Sequence, residues 1–304
     1  MHGVFVDANE ALAVIFERLT KPGDISARIH RDPDVTPDQL PKVLDGAGIA
    51  IVDHTQLPTD VARKCTGLKH VVFLGTGARS YMNPEELAEL GIAVHLIRGY
   101  GDTAVAESAI ALMWAAARNI AYMDREMRAG NWLREDGMQL TGKTLGLIGF
   151  GGIAAEVARI ALGSGMRVIA WNRSPKNHRD VEFVDLNTLL VASHVISLHL
   201  LLNDETRGFL SRDLIASMRP GVILVNTARG AMVDEDAMIE ALKSGHIRHA
   251  GLDVFNIEPL PADHPLTRLP NVTLSAHSAF RTPEASENLI DAAWEHCRRI
   301  AKGK

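Results

Sequence analysis

Residues 144–161, TLGLIGFGGIAAEVARIA, place Gly149, Gly151 and Ala154 in a G-x-G-x-x-A spacing, directly after an apolar run and directly before a stretch with helical periodicity. Few sequence features narrow a fold so far. An apolar run that ends in glycine and turns straight into a helix is a strand-turn-helix unit, and Gly149 suits its tight turn. Gly151 removes the side chain that would keep an anion off the backbone, and Ala154 lets the helix pack closely on its strand. Gly152 and Ile153 open the helix, where amides without intrahelical partners face an incoming anion. Such a site suits the pyrophosphate of a dinucleotide.

The flanking chain agrees with that unit. Before it, GVFVD, DISARIH, GIAIVD, HVVFLG and GIAVHL are short apolar runs that alternate with amphipathic stretches, the pattern of a largely parallel sheet. A long helix is expected from Thr103 to about Ala129, ended by Gly130. The alternation then restarts with TLGLIGFGG, MRVIAWN, HVISLHL, VILVN, HAGLDVF and NVTLSA, and an amphipathic helix is expected from Pro283 to Ala301. A chain of 304 residues exceeds what one core usually serves. Two α/β units follow, the second carrying the glycine turn.

Composition removes other classes. Lys and Arg number 32 against 37 Asp and Glu, a net charge of −5, which offers no general footprint for nucleic acid. The most apolar helical stretch, 103–117, contains Glu107 and is too short to cross a bilayer. Cys65 and Cys297 stand far apart in no ligand spacing, so neither disulfides nor a metal is expected and a reducing cytoplasm fits. The opening MHGVFVDANE has no basic segment and no apolar core of a secretory signal.

The strand MRVIAWN ends about twenty residues beyond the glycine turn, where an acidic residue would bind ribose hydroxyls. Asn172, Arg173 and Ser174 stand there instead. Arg173 and Ser174 suit a 2′-phosphate, and no carboxylate occurs before Asp180. NADP(H) is therefore expected over NAD(H).

Further on, Arg229 lies in NTARG, Glu258 in EPL and His277 in SAH, each in a loop after an apolar run. With the glycine turn and the segment from GTGARSYMNPEELAELGIAVHLIRGYGDTAVAESA onward, they make the chain resemble the D-isomer-specific 2-hydroxyacid dehydrogenases over nearly its whole length. The resemblance implies that Arg229 binds and polarises a 2-oxo acid, that Glu258 pairs with the histidine, and that His277 exchanges the proton. It gives Asp253 the nicotinamide amide, and the backbone amides of Thr76 and Gly77 the substrate carboxylate. Thr227 joins the cofactor-binding residues. Hydride arriving at a carbonyl carbon leaves charge on oxygen, so elementary chemistry asks for the same proton donor and fixed cation. His199 is expected to line the cofactor only through its backbone, and Arg98 and Tyr100 to stand near the cleft. Met123, Met127 and Trp132 are expected at a homodimer contact.

The implied fold is two doubly wound parallel-sheet domains. The larger, a Rossmann dinucleotide-binding domain, would take residues 98–279; the smaller, flavodoxin-like and substrate-binding, residues 1–97 plus 280–304. The implied function is reduction of a small 2-oxo acid, glyoxylate or hydroxypyruvate first, with no membrane or nucleic-acid partner. The alternative is a nucleotide-sensing, corepressor-like binding protein on this fold. Formate-oxidising relatives usually carry glutamine where Glu258 stands. Three departures from the family pattern bear on the site: Arg79 where aspartate is frequent, Leu201 where proline follows the strand, and Ser275 with Ala276 before His277 where threonine and proline are usual. The last two reduce the expected backbone restraint.

Overall fold

The computed structural model describes residues 2–303. The chain divides into two compact units, Met1–Gly101 with Thr282–Lys304, and Asp102–Arg281.

In the first unit the strands β1 (His2–Phe5), β2 (Ser26–Ile29), β3 (Ile49–Val52), β4 (His70–Phe73) and β5 (Ala93–Leu96) form one sheet in the order β2-β1-β3-β4-β5. Every pairing is parallel, with Val4 opposite Ala50 and Ile51 opposite Val72. This is the flavodoxin-like order. All four residues of β3 are buried, as a central parallel strand covered on both faces requires. The helix Pro283–Ala301 belongs to this unit. Thr282 caps it, its hydroxyl accepting from the Ala285 amide at 3.1 Å. Leu289, Ile290, Ala293, Trp294, Cys297 and Ile300 recur at helical spacing on its buried face. Trp294 stacks on Phe16 with centroids 4.4 Å apart and donates from Nε1 to the Phe16 carbonyl at 3.1 Å. Burying a side chain of this size stabilises the unit by about 3 kcal/mol.

In the second unit β6 (Thr144–Ile148), β7 (Arg167–Trp171), β8 (Glu182–Phe183), β9 (Val195–Leu198), β10 (Val222–Asn226), β11 (Ile247–Leu252) and β12 (Val272–Leu274) form a parallel sheet in the order β12-β11-β10-β9-β6-β7-β8. This is a Rossmann arrangement with a seventh strand, and the order reverses between β6 and β9. The two-residue β8 lies outside the apolar runs because nothing so short shows a period.

The single helix expected from Thr103 to Ala129 is two, Asp102–Ala117 and Ile120–Arg128. Asn119 breaks it, in the left-handed region at φ 52°, which asparagine tolerates better than most residues. The Asn119 side chain is used at the break: its amide donates to the Asp136 carbonyl at 3.3 Å, and its Oδ1 lies 3.3 Å from His249 Nδ1.

Candidate active site

The carboxyl ends of the seven-stranded sheet carry the sequence-derived residues of the second unit. Gly149 follows β6, Asn172 follows β7, Thr227 and Arg229 follow β10, Asp253 and Glu258 follow β11, and His277 follows β12. Parallel strands bring all these loops to one edge, the edge at which open α/β sheets bind ligands.

At the switch point, Gly149 takes φ 89°, and a Cβ there would stand 2.7 Å from the His199 carbonyl oxygen. Only glycine fits such a turn. A side chain on Gly151 would meet nothing, so the N-terminus of helix Gly152–Gly163 lies open above it. The Asn172 side chain braces the turn, accepting from the Phe150 amide at 3.1 Å and donating to the Ser174 carbonyl at 2.7 Å. Arg173 and Ser174 are exposed, and Arg173 forms an ion pair with Glu205. Thr227 is buried and its hydroxyl oxygen has no hydrogen-bond partner among the described residues. An orphaned buried hydroxyl at the same sheet edge as an open phosphate-type turn, two strands away from it, fits a bound dinucleotide. His199 pairs through Nε2 with the Ser197 hydroxyl at 2.9 Å, and burial pushes its ring down to about 4, so it is neutral.

Two loops hold the charged residues. Asn226, almost fully buried, donates from Nδ2 to the Arg229 carbonyl at 3.0 Å and accepts the Ala228 amide at 2.9 Å. The backbone carrying Arg229 is thereby fixed, while its exposed guanidinium rests on the Ala228 carbonyl at 2.7 Å. A side chain on Gly230 would overlap the backbone of Phe255 and Asn256, so the arginine loop is seated directly on the loop that leads to Glu258.

Glu258 and His277 meet. Glu258 Oε1 accepts the Phe255 amide at 2.9 Å, and Oε2 lies 2.7 Å from His277 Nδ1. A carboxylate only accepts, so Nδ1 carries the proton and Nε2 remains for chemistry. The pair is partly open, with 37% of the histidine side chain exposed. His277 itself stands at φ 47°, and its amide donates to the Asp253 carbonyl at 2.8 Å.

The Asp253 carboxylate is buried beneath that turn. Oδ1 takes the Ser275 hydroxyl at 2.5 Å and the Ser278 amide at 3.0 Å, and Oδ2 takes the Ala279 amide at 3.0 Å. Asp253 therefore holds the histidine turn, a role beyond the cofactor contact expected of it. Ser275 supplies through its hydroxyl some of the restraint that a proline at Ala276 would give.

In the first unit, Thr76 and Gly77 follow β4, and among the described residues their amides donate to no acceptor. Arg79 pairs with Glu85, so its charge is answered locally. Leu201 is exposed, and its carbonyl accepts the Thr206 hydroxyl at 2.6 Å. Arg98 is exposed, and the Tyr100 carbonyl accepts from Asn288 at 3.3 Å. Among the described residues no cluster of histidine, cysteine or carboxylate side chains could hold a metal ion, and no helix is long and apolar enough to cross a membrane.

Asn226 and Gly230 are supporting residues that sequence patterns passed over, and Ser275, read there only as a departure, is a third. Each lies within three residues of a charged candidate, and a polar residue ending a buried strand, as Asn226 does, is the one local signal among them.

Comparison with known proteins bears on the family. A family model described as D-isomer specific 2-hydroxyacid dehydrogenase, NAD binding domain, matches residues 110–279. The chain is 40% identical over 259 residues to a hydroxypyruvate reductase of Thermotoga maritima, covering 83% of this chain and 84% of that one. It is 34% identical to a glyoxylate reductase of Aeropyrum pernix, covering 99% and 93%. Among solved structures, an acyclic imino acid reductase in complex with NADPH and D-Arg superposes with a TM-score of 0.87 at 29% identity, covering 100% of this chain and 98% of that one.

Proposed function

Because this chain belongs to the D-isomer-specific 2-hydroxyacid dehydrogenase family, we propose that it reduces small 2-oxo acids to D-2-hydroxy acids, glyoxylate and hydroxypyruvate first among them, using NADPH in preference to NADH. The observation that carries the reading is the 2.7 Å contact between His277 Nδ1 and Glu258 Oε2. It leaves Nε2 to give a proton to a carbonyl oxygen, with the ring held in place by the carboxylate at Nδ1. General acid catalysis of this kind is worth about two to four decades in rate. Arg229 is the fixed cation for the developing negative charge, and the free amides of Thr76 and Gly77 are the candidates for the substrate carboxylate. A bound reduced nicotinamide would supply the hydride.

The cofactor would be held by Gly149, Gly151, Gly152 and Ile153 at the pyrophosphate, by Asn172, Arg173 and Ser174 at the adenosine ribose, and by Thr227 and Asp253 toward the nicotinamide. Preference for NADPH rests on Arg173 and Ser174, and the NADPH-bound neighbour is in keeping with it. Nothing in the comparisons supports the binding-protein alternative. We further infer a homodimer, since Trp132 is 79% and Met127 54% exposed on or just beyond helix Ile120–Arg128, with Met123 half-buried beside them. Apolar surface of this kind is usually covered by a partner. Both cysteines are free and buried, in keeping with a cytoplasmic setting.

A panel of 2-oxo acids crossed with NADPH and NADH, read by cofactor oxidation, tests class, cofactor and substrate size together. Turnover of glyoxylate or hydroxypyruvate is the expected result. Tight cofactor binding with no turnover of any acid would overturn the reading.

A further inference from the structure

Gly152, the first residue of the helix behind the glycine turn, is packed against an acid. A side chain there would overlap Oδ2 of Asp102, which opens helix Asp102–Ala117. Among the described residues no cation and no hydrogen-bond donor is paired with this carboxylate, and the one ionisable group whose charge it feels is another acid, Glu156. Glu156 lies on the helix that Gly152 begins, and Arg159, the cation on that helix, is held by Glu156 at 3.0 Å. Glu107, five residues along from Asp102 on its own helix, is exposed. Burial first, and then Glu156, hold the Asp102 carboxyl above the ordinary carboxylate range.

A half-buried acid without a counter-charge therefore sits at the helix end whose unpaired amides attract anions. A phosphate seated on those amides and an ionised Asp102 would compete for the same positive end. We propose that Asp102 sets the strength with which this turn holds a dinucleotide: as a carboxylate it repels the pyrophosphate, so that the bound cofactor favours its protonated form. The inference rests on the cofactor reading above and adds to it a residue and a coupled proton. The proton comes from solvent and ends on the Asp102 carboxyl oxygen; no other bond changes.

The wild-type protein and Asp102→Asn, which keeps the side chain's size, are to be titrated calorimetrically with NADH, whose own groups do not titrate between pH 6 and 8. Two buffers of different ionisation enthalpy would be used at each pH. The variant is expected to bind about tenfold more tightly at pH 8, the size of effect that one like charge roughly 6 to 12 Å away produces at an effective dielectric constant of roughly 20 to 40. The difference should narrow as pH falls, and a fractional proton uptake that grows toward the acid end should be seen in the wild type and lost in the variant. Asp102→Ala should behave as the asparagine variant does. Equal affinities with equal proton uptake, in proteins that all bind NADH, would overturn the role of Asp102 and leave the cofactor reading intact. Failure of the wild type to bind either NADH or NADPH would overturn both.

Discussion

Gly230 has no room for a β-carbon because the backbone carbonyl of Phe255 occupies the place. The arginine loop and the glutamate loop are thus seated directly on one another, and one methyl group is enough to part them. Gly230→Ala should lower kcat/KM about ten- to a hundredfold, since a displacement near 1 Å at a reacting centre costs that much. Steady-state kinetics with glyoxylate, alongside a calorimetric NADH titration, checks this. Activity at the wild-type level would show that the two loops act independently.

His277→Ala removes the proton donor and should reduce turnover by two decades or more while cofactor binding persists. Glu258→Gln keeps an acceptor for the Phe255 amide and loses the charge facing the ring. Its kcat should fall less, by about ten- to thirtyfold. Near-normal turnover of the alanine variant in single-turnover experiments would refute the assigned acid.

Arg173 is already paired with Glu205, so a 2′-phosphate must draw the guanidinium away from a carboxylate. Discrimination between the two cofactors should accordingly be modest. Arg173→Ala should raise the KM for NADPH about tenfold with little change for NADH, and Glu205→Gln should lower the KM for NADPH by a few-fold. Parallel changes for both cofactors in either variant would remove Arg173 from the 2′-phosphate site.

Stability should decline on both sides of neutrality, for separate reasons in the two units. In the smaller unit, the hydrogen bond to Asp53, with the charges of Asp7 and Asp53, raises His54 to about 9. A histidine raised in the folded state stabilises fully below about pH 6.5, and that contribution is lost as pH rises through 9. His54 is 44% exposed, so solvent screening keeps the effect small. In the larger unit, burial first and then Arg248 push His249 down to about 4, and its ring lies 2.9 Å from the Thr273 hydroxyl and 3.3 Å from Asn119 Oδ1. A histidine lowered on folding stabilises above about pH 6.5, and the contribution is lost as pH falls toward 4. Between pH 7 and 5 that loss is about 1 to 2 kcal/mol. Urea midpoints at pH 5, 7 and 9.5 test both arms: His54→Ala should flatten the alkaline one, and a midpoint unchanged from pH 7 to 5 would contradict the acid one.

The glycine turn, the parallel strands and the three charged residues were legible in the sequence because each has a local signature: an apolar run, a glycine where backbone must turn, a charge beside a strand end. The break at Asn119 was not, since apolar spacing continues across it and the left-handed residue is settled by contacts to Asp136 and His249, distant in sequence. The support of His277 was hidden for the same reason. Ser275 and Ala276 read as a loss of restraint when seen alone, yet Asp253, more than twenty residues earlier, gathers the Ser275 hydroxyl and the Ser278 and Ala279 amides. Glu205 and Asp102 belong to this class too: a charge's partner, or its lack of one, is a property of the folded chain.

Trp294 closes the core of the smaller unit from a helix at the far end of the chain, stacked on Phe16 near the beginning. During synthesis the first hundred residues must therefore wait, their sheet uncovered on that side, while the whole second unit emerges and becomes able to fold. A helix made after the whole second unit thus seals a sheet made before it, so removal of residues 283–301 would leave a nucleotide-binding half intact and joined to an unsealed one.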